Sequence, residues 1–321
     1  MPVIKSAYSA PFVFHNYHLS TIYASQLRKA PKLQQKRQRL ELQDSDFIDV
    51  DWSYAKDRQK SKLLLILHGL EGNAQRPYIL GMAAIFNNDG WDVAAVNLRG
   101  CSGEINRLYR SYNAGASEDL QEIIHLIQKK NKYRILAAVG FSLGGNLLLK
   151  YLGEGNLLPS EFKAAAAIST PCDLYGSLRE LEKPGNMIYA RRFVKKLKKQ
   201  LEIRNRKFPE KLSTEEIARC KTLLQIDDLY TSRAHGYKDA KDYYKRSSSL
   251  QFLPGIQLPV LLLNAQNDSF LSDSCYPYKL AEENAHLFLE TPKYGGHVGF
   301  LQYKKETYAE QRALRFINDH I

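Results

Sequence analysis

Apolar residues along this chain fall into short unbroken runs separated by stretches of helical periodicity, and that alternation decides the fold class. Ile135 to Val139 holds no polar residue, so it cannot divide itself between a core face and a solvent face and predicts a strand buried on both sides. Lys62 to Leu67, Trp91 to Asn97, Ala164 to Ser169, Pro259 to Asn264 and His286 to Glu290 predict further strands. Between them, Pro77 to Asn87, a segment opening at Ser117, a run through Leu147, Leu148, Leu149, Tyr151 and Leu152, and a last one from Tyr308 to Ile321 predict helices. Ser117-Glu118-Asp119 offers a cap and an acidic first turn, and Leu120, Ile123, Ile124 and Ile127 recur at helical spacing to form one apolar face. Strands alternating with helices in this way predict an α/β fold built on a mostly parallel, doubly wound sheet.

Two segments depart from the rhythm. From Gln38 to Tyr54 apolar and polar residues alternate about Asp44-Ser45-Asp46, which predicts an antiparallel hairpin at the sheet's edge. Ahead of it, residues 1–37 carry Pro11, Pro31 and scattered aromatics but no visible core, and read as an arm laid over a domain. From Ser169 to Pro259 is 90 residues, several times what a strand-to-strand crossover needs. Its contents, Met187 to Gln200, Thr214 to Leu224 and the aromatics Tyr237, Tyr243 and Tyr244, predict a mostly helical lid over about 175–250 that covers the site. Residues 1–321 then form a single domain with an arm and an insertion.

Composition is ordinary for a globular protein, but charge is not. The net charge is +12, and Tyr175 to Leu250 alone holds 19 Lys and Arg against 10 Asp and Glu. Such a basic stripe steers anionic ligands or makes a weak contact with an anionic membrane surface, when it is more than a solvated face. Nucleic acid is not expected, since the aromatics form no stacking platform. No apolar run approaches the ~20 residues of a membrane span, and the first residues carry no secretion pattern, so a cytoplasmic location is expected. Cys101, Cys172, Cys220 and Cys275 lie far apart and are expected as free thiols, without a metal or disulfide framework.

The chemistry centres on Gly140-Phe141-Ser142-Leu143-Gly144, at the end of one buried strand and the start of a helix. G-x-S-x-G in that context is a nucleophile elbow: small residues permit a strained turn that lifts the serine hydroxyl clear of the backbone. A serine hydroxyl needs a histidine to remove its proton, and the histidine needs an acid to orient it. Asp268 follows the strand ending at Asn264, and His297 follows the next strand within Gly295-Gly-His-Val-Gly-Phe300. That is the order Ser, Asp, His of the hydrolases that use this elbow, with each partner at the carboxyl end of a parallel strand. Asp273 is the nearest rival acid but lies farther from a strand end. The oxyanion donors are expected at the backbone N–H of Leu143 and of Leu70, in the loop His68-Gly-Leu-Glu-Gly72. His68 itself reads as a structural residue, His125 as a solvated one and Cys101 as a plain loop cysteine.

The chain resembles the YheT-like branch of the α/β-hydrolases through three segments: His68 to Gly72, Arg99-Gly-Cys-Ser-Gly103 and Gly295 to Phe300. His18-Leu-Ser-Thr-Ile22 is similar to the family's His-Leu-Gln-Thr-Ile, with Ser20 in place of Gln, and Pro171-Cys-Asp-Leu174 matches as it stands. The family's Asp-Asp-Pro-Phe becomes Asn267-Asp268-Ser269-Phe270, leaving Asp268 as the one acid of the pair. The resemblance implies an α/β-hydrolase fold and acyl transfer, since members are regarded as esterases or, in some eukaryotic relatives, acyltransferases or phospholipases. The expected function is hydrolysis of carboxylic esters of short to medium acyl chains on a small-molecule or lipid-like substrate, with no cofactor and no metal. Two alternatives stand beside it: acyl transfer to an alcohol, and a catalytically idle binding protein with a basic lid. Met187, Ile188, Phe193, Leu197 and Leu201 are spaced as if to pack the lid on the domain, which favours hydrolysis.

Overall fold

The computed structural model describes residues 3–56, 61–131 and 133–321; Met1 and Pro2, at the start of the expected arm, lie outside them. In chain order the strands are β1 (Val3–Ile4), β2 (Lys36–Glu41), β3 (Phe47–Ser53), β4 (Lys62–Leu67), β5 (Asp92–Asn97), β6 (Ile135–Phe141), β7 (Phe162–Ile168), β8 (Val260–Leu263) and β9 (Leu287–Glu290). They form one nine-stranded sheet in the order β1-β9-β8-β7-β6-β4-β5-β3-β2. β3 pairs antiparallel with β2 and β5, and the other pairings are parallel. The hairpin thus lies at one edge, as its alternation predicts.

The helices are α1 (Tyr17–Ile22), α2 (Pro77–Asn88), α3 (Ser117–Asn131), α4 (Leu143–Gly153), α5 (Leu174–Leu181), α6 (Met187–Lys207), α7 (Thr214–Arg219), α8 (Leu223–Ile226), α9 (Ser232–His235), α10 (Ala240–Ser247), α11 (Tyr278–Glu283) and α12 (Tyr308–Asn318). Successive residues of the central strands enter opposite cores because side chains alternate across a sheet. Leu63, Leu65 and Leu67 join α3 and α4 on one face; Leu64 and Ile66 join α2 and α12 on the other. Each fully buried leucine contributes about 1.5–3 kcal/mol relative to an exposed one, so these two-faced strands anchor the molecule. In β7 the residues are mostly alanine, and α4 and α12 press on it from opposite sides.

Strand bounds agree with the sequence pattern to within two residues, and the lesser elements differ for local reasons. The expected helix from Thr214 to Leu224 is two helices, because Ser213 and Thr222 each start one with a capping box, Glu216 and Gln225 reaching back to the cap. The arm is more than a cover: its β1 pairs with β9 and extends the sheet at the edge opposite the hairpin. Two residues carry no periodicity, so β1 has no signal in the pattern. No helix among the described residues is long and apolar enough to cross a membrane.

Candidate active site

Ser142 joins β6 to α4 with φ 53° and ψ −121°, a left-handed conformation costly for a residue with a side chain. Three glycines make that turn fit. A Cβ on Gly140 would meet the Gly144 carbonyl oxygen at 2.5 Å, one on Gly144 would meet the His68 carbonyl oxygen at 2.5 Å, and one on Gly69 would meet Ser142 Cβ at 2.9 Å. The G-x-S-x-G spacing is therefore a packing requirement as well as a conformational one.

The three residues expected to cooperate lie together. His297 Nε2 is 2.9 Å from Ser142 Oγ, and His297 Nδ1 is 2.8 Å from Asp268 Oδ2. A carboxylate only accepts, so Nδ1–H donates to Asp268 and bare Nε2 accepts the serine proton. Asp268 and His297 are both buried, and Phe270 lays its ring against the imidazole at 4.4 Å between centroids. Asp268 Oδ1 accepts from the Phe270 N–H at 3.0 Å, which fixes the carboxylate. Asp273, the rival acid, is exposed at the start of a separate 3₁₀ turn.

Arm residues, which sequence reasoning left without a role, hold the histidine loop. The His297 N–H donates to Thr21 Oγ1 at 2.9 Å, and Ser20 Oγ donates to the Gly295 carbonyl at 2.8 Å. Gly296 N–H donates to Asn267 Oδ1 at 3.0 Å, while Asn267 Nδ2 donates to the His15 carbonyl at 3.1 Å. An aspartate at 267 could accept the first bond but not donate the second. Ser269 Oγ in turn donates to Asn186 Oδ1 at 2.8 Å, just ahead of α6. Ser20, Asn267 and Ser269, the departures from the family pattern, each make a side-chain hydrogen bond that ties the loops around His297 and Asp268 together.

The loop after β4 faces the serine. The Leu70 and Leu143 amides have no hydrogen-bond partner among the described residues, and both residues line the cavity that holds Ser142. His68 is buried and structural: its Nε2 accepts from the Leu98 N–H at 3.1 Å, so its Nδ1–H donates to the Gly69 carbonyl at 2.8 Å. Burial lowers its pKa to about 4, and the ring stays neutral. Burial also raises the Cys101 thiol well above its usual value, which leaves it an unreactive thiol. Arg99, from the Arg-Gly-Cys-Ser-Gly segment, is buried and pairs with Asp119 at 2.7 Å, Asp44 at 2.9 Å and Asp46 at 3.3 Å. Its work is to clamp the hairpin to α3.

A cavity of about 260 Å³ runs from Ser142 and His297 beneath α6. Phe193, Leu197 and Leu201 line it together with Leu178 and Ile226, so these α6 residues face the cavity and do more than pack their helix on the sheet. Met187 and Ile188, grouped with them by spacing, are exposed. Polar groups also stand in the wall, Glu71, Lys196 and Asp227 among them. Beside Leu70, burial raises the Glu71 carboxyl, which accepts from Tyr112 Oη at 3.1 Å. Burial lowers Lys196, which has no hydrogen-bond or ion-pair partner among the described residues. Farther in, burial raises Asp227 to about 6; it accepts from Thr231 Oγ1 at 2.6 Å and from Tyr244 Oη. The described residues hold no cluster of His, Cys, Asp or Glu suited to a metal ion.

Comparisons with known proteins agree with this architecture. The pattern of the α/β hydrolase fold matches residues 62–302. YheT of Escherichia coli is 35% identical over 91% of this chain and 88% of its own. Phospholipase ABHD3 of Mus musculus is 28% identical over 94% of this chain and 75% of its own. A monoacylglycerol lipase of Saccharomyces cerevisiae is 29% identical over 81% of this chain and 60% of its own. Among solved structures, the Pyrococcus furiosus esterase Pf2001 superposes with a TM-score of 0.61 at 16% identity, over 99% of this chain and 98% of that one; a likeness at that identity speaks to the fold.

Proposed function

The chain belongs to the YheT-like branch of the α/β-hydrolase family, and from that premise we propose that it is a carboxylic ester hydrolase acting through an acyl-serine. The observation that carries the reading is the unbroken chain Ser142 Oγ to His297 Nε2 at 2.9 Å and His297 Nδ1 to Asp268 Oδ2 at 2.8 Å. In this mechanism His297 takes the Ser142 proton as Oγ attacks the ester carbonyl. Asp268 holds the imidazole in the required tautomer and stabilises the imidazolium. The free amides of Leu70 and Leu143 receive the oxyanion. His297 then returns the proton to the departing alkoxide, and a water molecule repeats the sequence on the acyl-serine.

The cavity beneath α6 suits an acyl chain. Beneath α6 its walls include Leu178, Phe193, Leu197, Leu201 and Ile226, and about 260 Å³ lies near the lower end of common ligand pockets, which favours short to medium chains. We assign α5 to α10 as a lid within one domain and residues up to 37 as an arm that completes the histidine loop. The names of the relatives, phospholipase and monoacylglycerol lipase, support esters of lipid-like alcohols.

A fluorophosphonate probe should label the purified protein, and Ser142→Ala should abolish labelling and lower turnover of an activated ester by roughly 10⁴-fold or more. Equal labelling of the variant would sink the reading. Because Phe193, Leu197 and Leu201 wall the cavity, transfer to an alcohol is the second reading. It is separated by supplying graded ethanol in water and comparing free acid with ethyl ester. Hydrolysis requires acid to dominate while water is in large excess.

A further inference from the structure

Over residues 12–27 the arm is amphipathic in an unusual sense: Ser20, Thr21 and Ala24 face inward, while Phe12, Leu19, Ile22, Tyr23 and Leu27 face solvent. Through α1 and the π-helical turn Tyr23–Leu27, Ser20, Thr21 and Ala24 are buried against the molecule. Leu19, Ile22, Tyr23 and Leu27 are exposed; Ile22 and Tyr23 lie three and four residues after Leu19, and Leu27 four after Tyr23, which places them in one stripe. Just ahead of them Phe12 is 82% exposed, and Leu27 at the far end is 65% exposed. The inward residues are committed to the Gly295–His297 loop, so the helix cannot turn its apolar side in.

Beside this stripe runs a second one. On α6, Ile188, Arg191, Arg192, Lys195 and Lys199 are exposed, again at three- and four-residue steps. No acidic partner is within ion-pair reach of Arg191, Lys195 or Lys199 among the described residues. The two rows are joined: Arg192 Nη2 donates to Gln26 Oε1 at 2.5 Å, and His18 Nδ1 meets Tyr189 Oη at 3.0 Å. The cavity opens between them, since Ile22 and Gln26 of the arm and Arg192 and Lys196 of α6 line it along with Ser142.

We propose that this face docks on an anionic phospholipid bilayer, the arm's apolar stripe entering at headgroup depth and the α6 cations resting on lipid phosphates. An amphipathic segment with large apolar residues beside a basic helix face is the composition of an in-plane membrane anchor. A nucleic acid would satisfy the cations but leave the apolar stripe in water. A second copy of the chain would set the α6 cations against each other. The docking stands whether or not Ser142 is a nucleophile; the further step, delivery of a bilayer ester through the opening to Ser142, rests on the proposed hydrolase.

The test is co-sedimentation of the full chain with vesicles of phosphatidylcholine, with and without phosphatidylserine, together with two variants made only at residues outside the cavity. One is Phe12→Ser/Leu19→Ser/Leu27→Ser, and the other is Arg191→Glu/Lys195→Glu/Lys199→Glu. The unaltered protein should bind the anionic vesicles at least tenfold more strongly than the neutral ones, and lose that binding as salt screens the charge. Each variant should bind the anionic vesicles at least tenfold more weakly while hydrolysing a water-soluble ester at the unaltered rate. Binding that is absent, or equal in all three proteins, overturns the proposal. So does sedimentation velocity that finds a dimer only in the unaltered chain, which would make the face a self-interface. Failure of the hydrolase reading would show separately, as no turnover of the soluble ester by any of the three.

Discussion

Gly144 has no room for one more carbon: a Cβ there would lie 2.5 Å from the His68 carbonyl oxygen and 2.7 Å from that of Leu67, both fixed in the strand end. Gly144→Ala is therefore expected to cost about 3 kcal/mol or more, read as a lower urea midpoint at unchanged slope. His68 makes a pH prediction. Its folded pKa of about 4 lies below the usual 6.5, so between those values the unfolded chain binds a proton that the folded chain refuses. Stability falls on acidification through that window, by about 3 kcal/mol when it is fully crossed. Urea unfolding at pH 7 and at about pH 4.5 should show a smaller loss in His68→Gln than in the unaltered protein. Thr21→Val keeps shape but strands the buried His297 N–H, at about 1–3 kcal/mol. Activity should drop roughly tenfold, in kcat with KM little changed. The glycines, Asp268 and His297 were legible because each type and spacing has one mechanical reason. Thr21 and Asn267 were not, because a threonine and an asparagine in loops carry many local meanings, and only the folded chain shows them meeting His297 and His15.

Among elements, the central strands and flanking helices declare themselves because burial on two faces or one leaves a period in the sequence. The arm's β1 and the helix breaks between β7 and β8 do not, since two paired residues leave no period and capping boxes at Ser213 and Thr222 set the breaks. α6 runs seven residues past its expected end at Gln200, to Lys207. It is held there by Arg204, whose Nη1 donates to the Leu108, Tyr109 and Arg110 carbonyls at 2.8–3.2 Å. Arg99 shows what a recognisable motif can be for. Its segment marks the family, yet the side chain serves the join between hairpin and α3, through Asp44, Asp46 and Asp119. Arg99→Met should leave buried carboxylates facing one another and cost about 3–5 kcal/mol. In chemical denaturation this should appear as a large loss of stability, even though the variant leaves Ser142 untouched.

At the scale of the molecule, uneven charge was visible in the sequence, but its placement was not. The cations of α6 gather on one exposed face only because Val194 and Leu201 turn inward, and that face lies beside the arm only because Gln26 and His18 bind it. The same arm orders events in time. β1 pairs with β9, Val3 opposite Leu289 and Ile4 opposite Glu290, and Thr21 waits for His297. During vectorial synthesis the elbow, the oxyanion loop and most of the cavity wall leave the ribosome before either meeting can occur. The arm thus stays unmatched until β9 and His297 have been made. A nascent chain halted before Leu287 lacks both the partner of β1 and His297, so its arm should be open to protease, and extension through α12 should protect it.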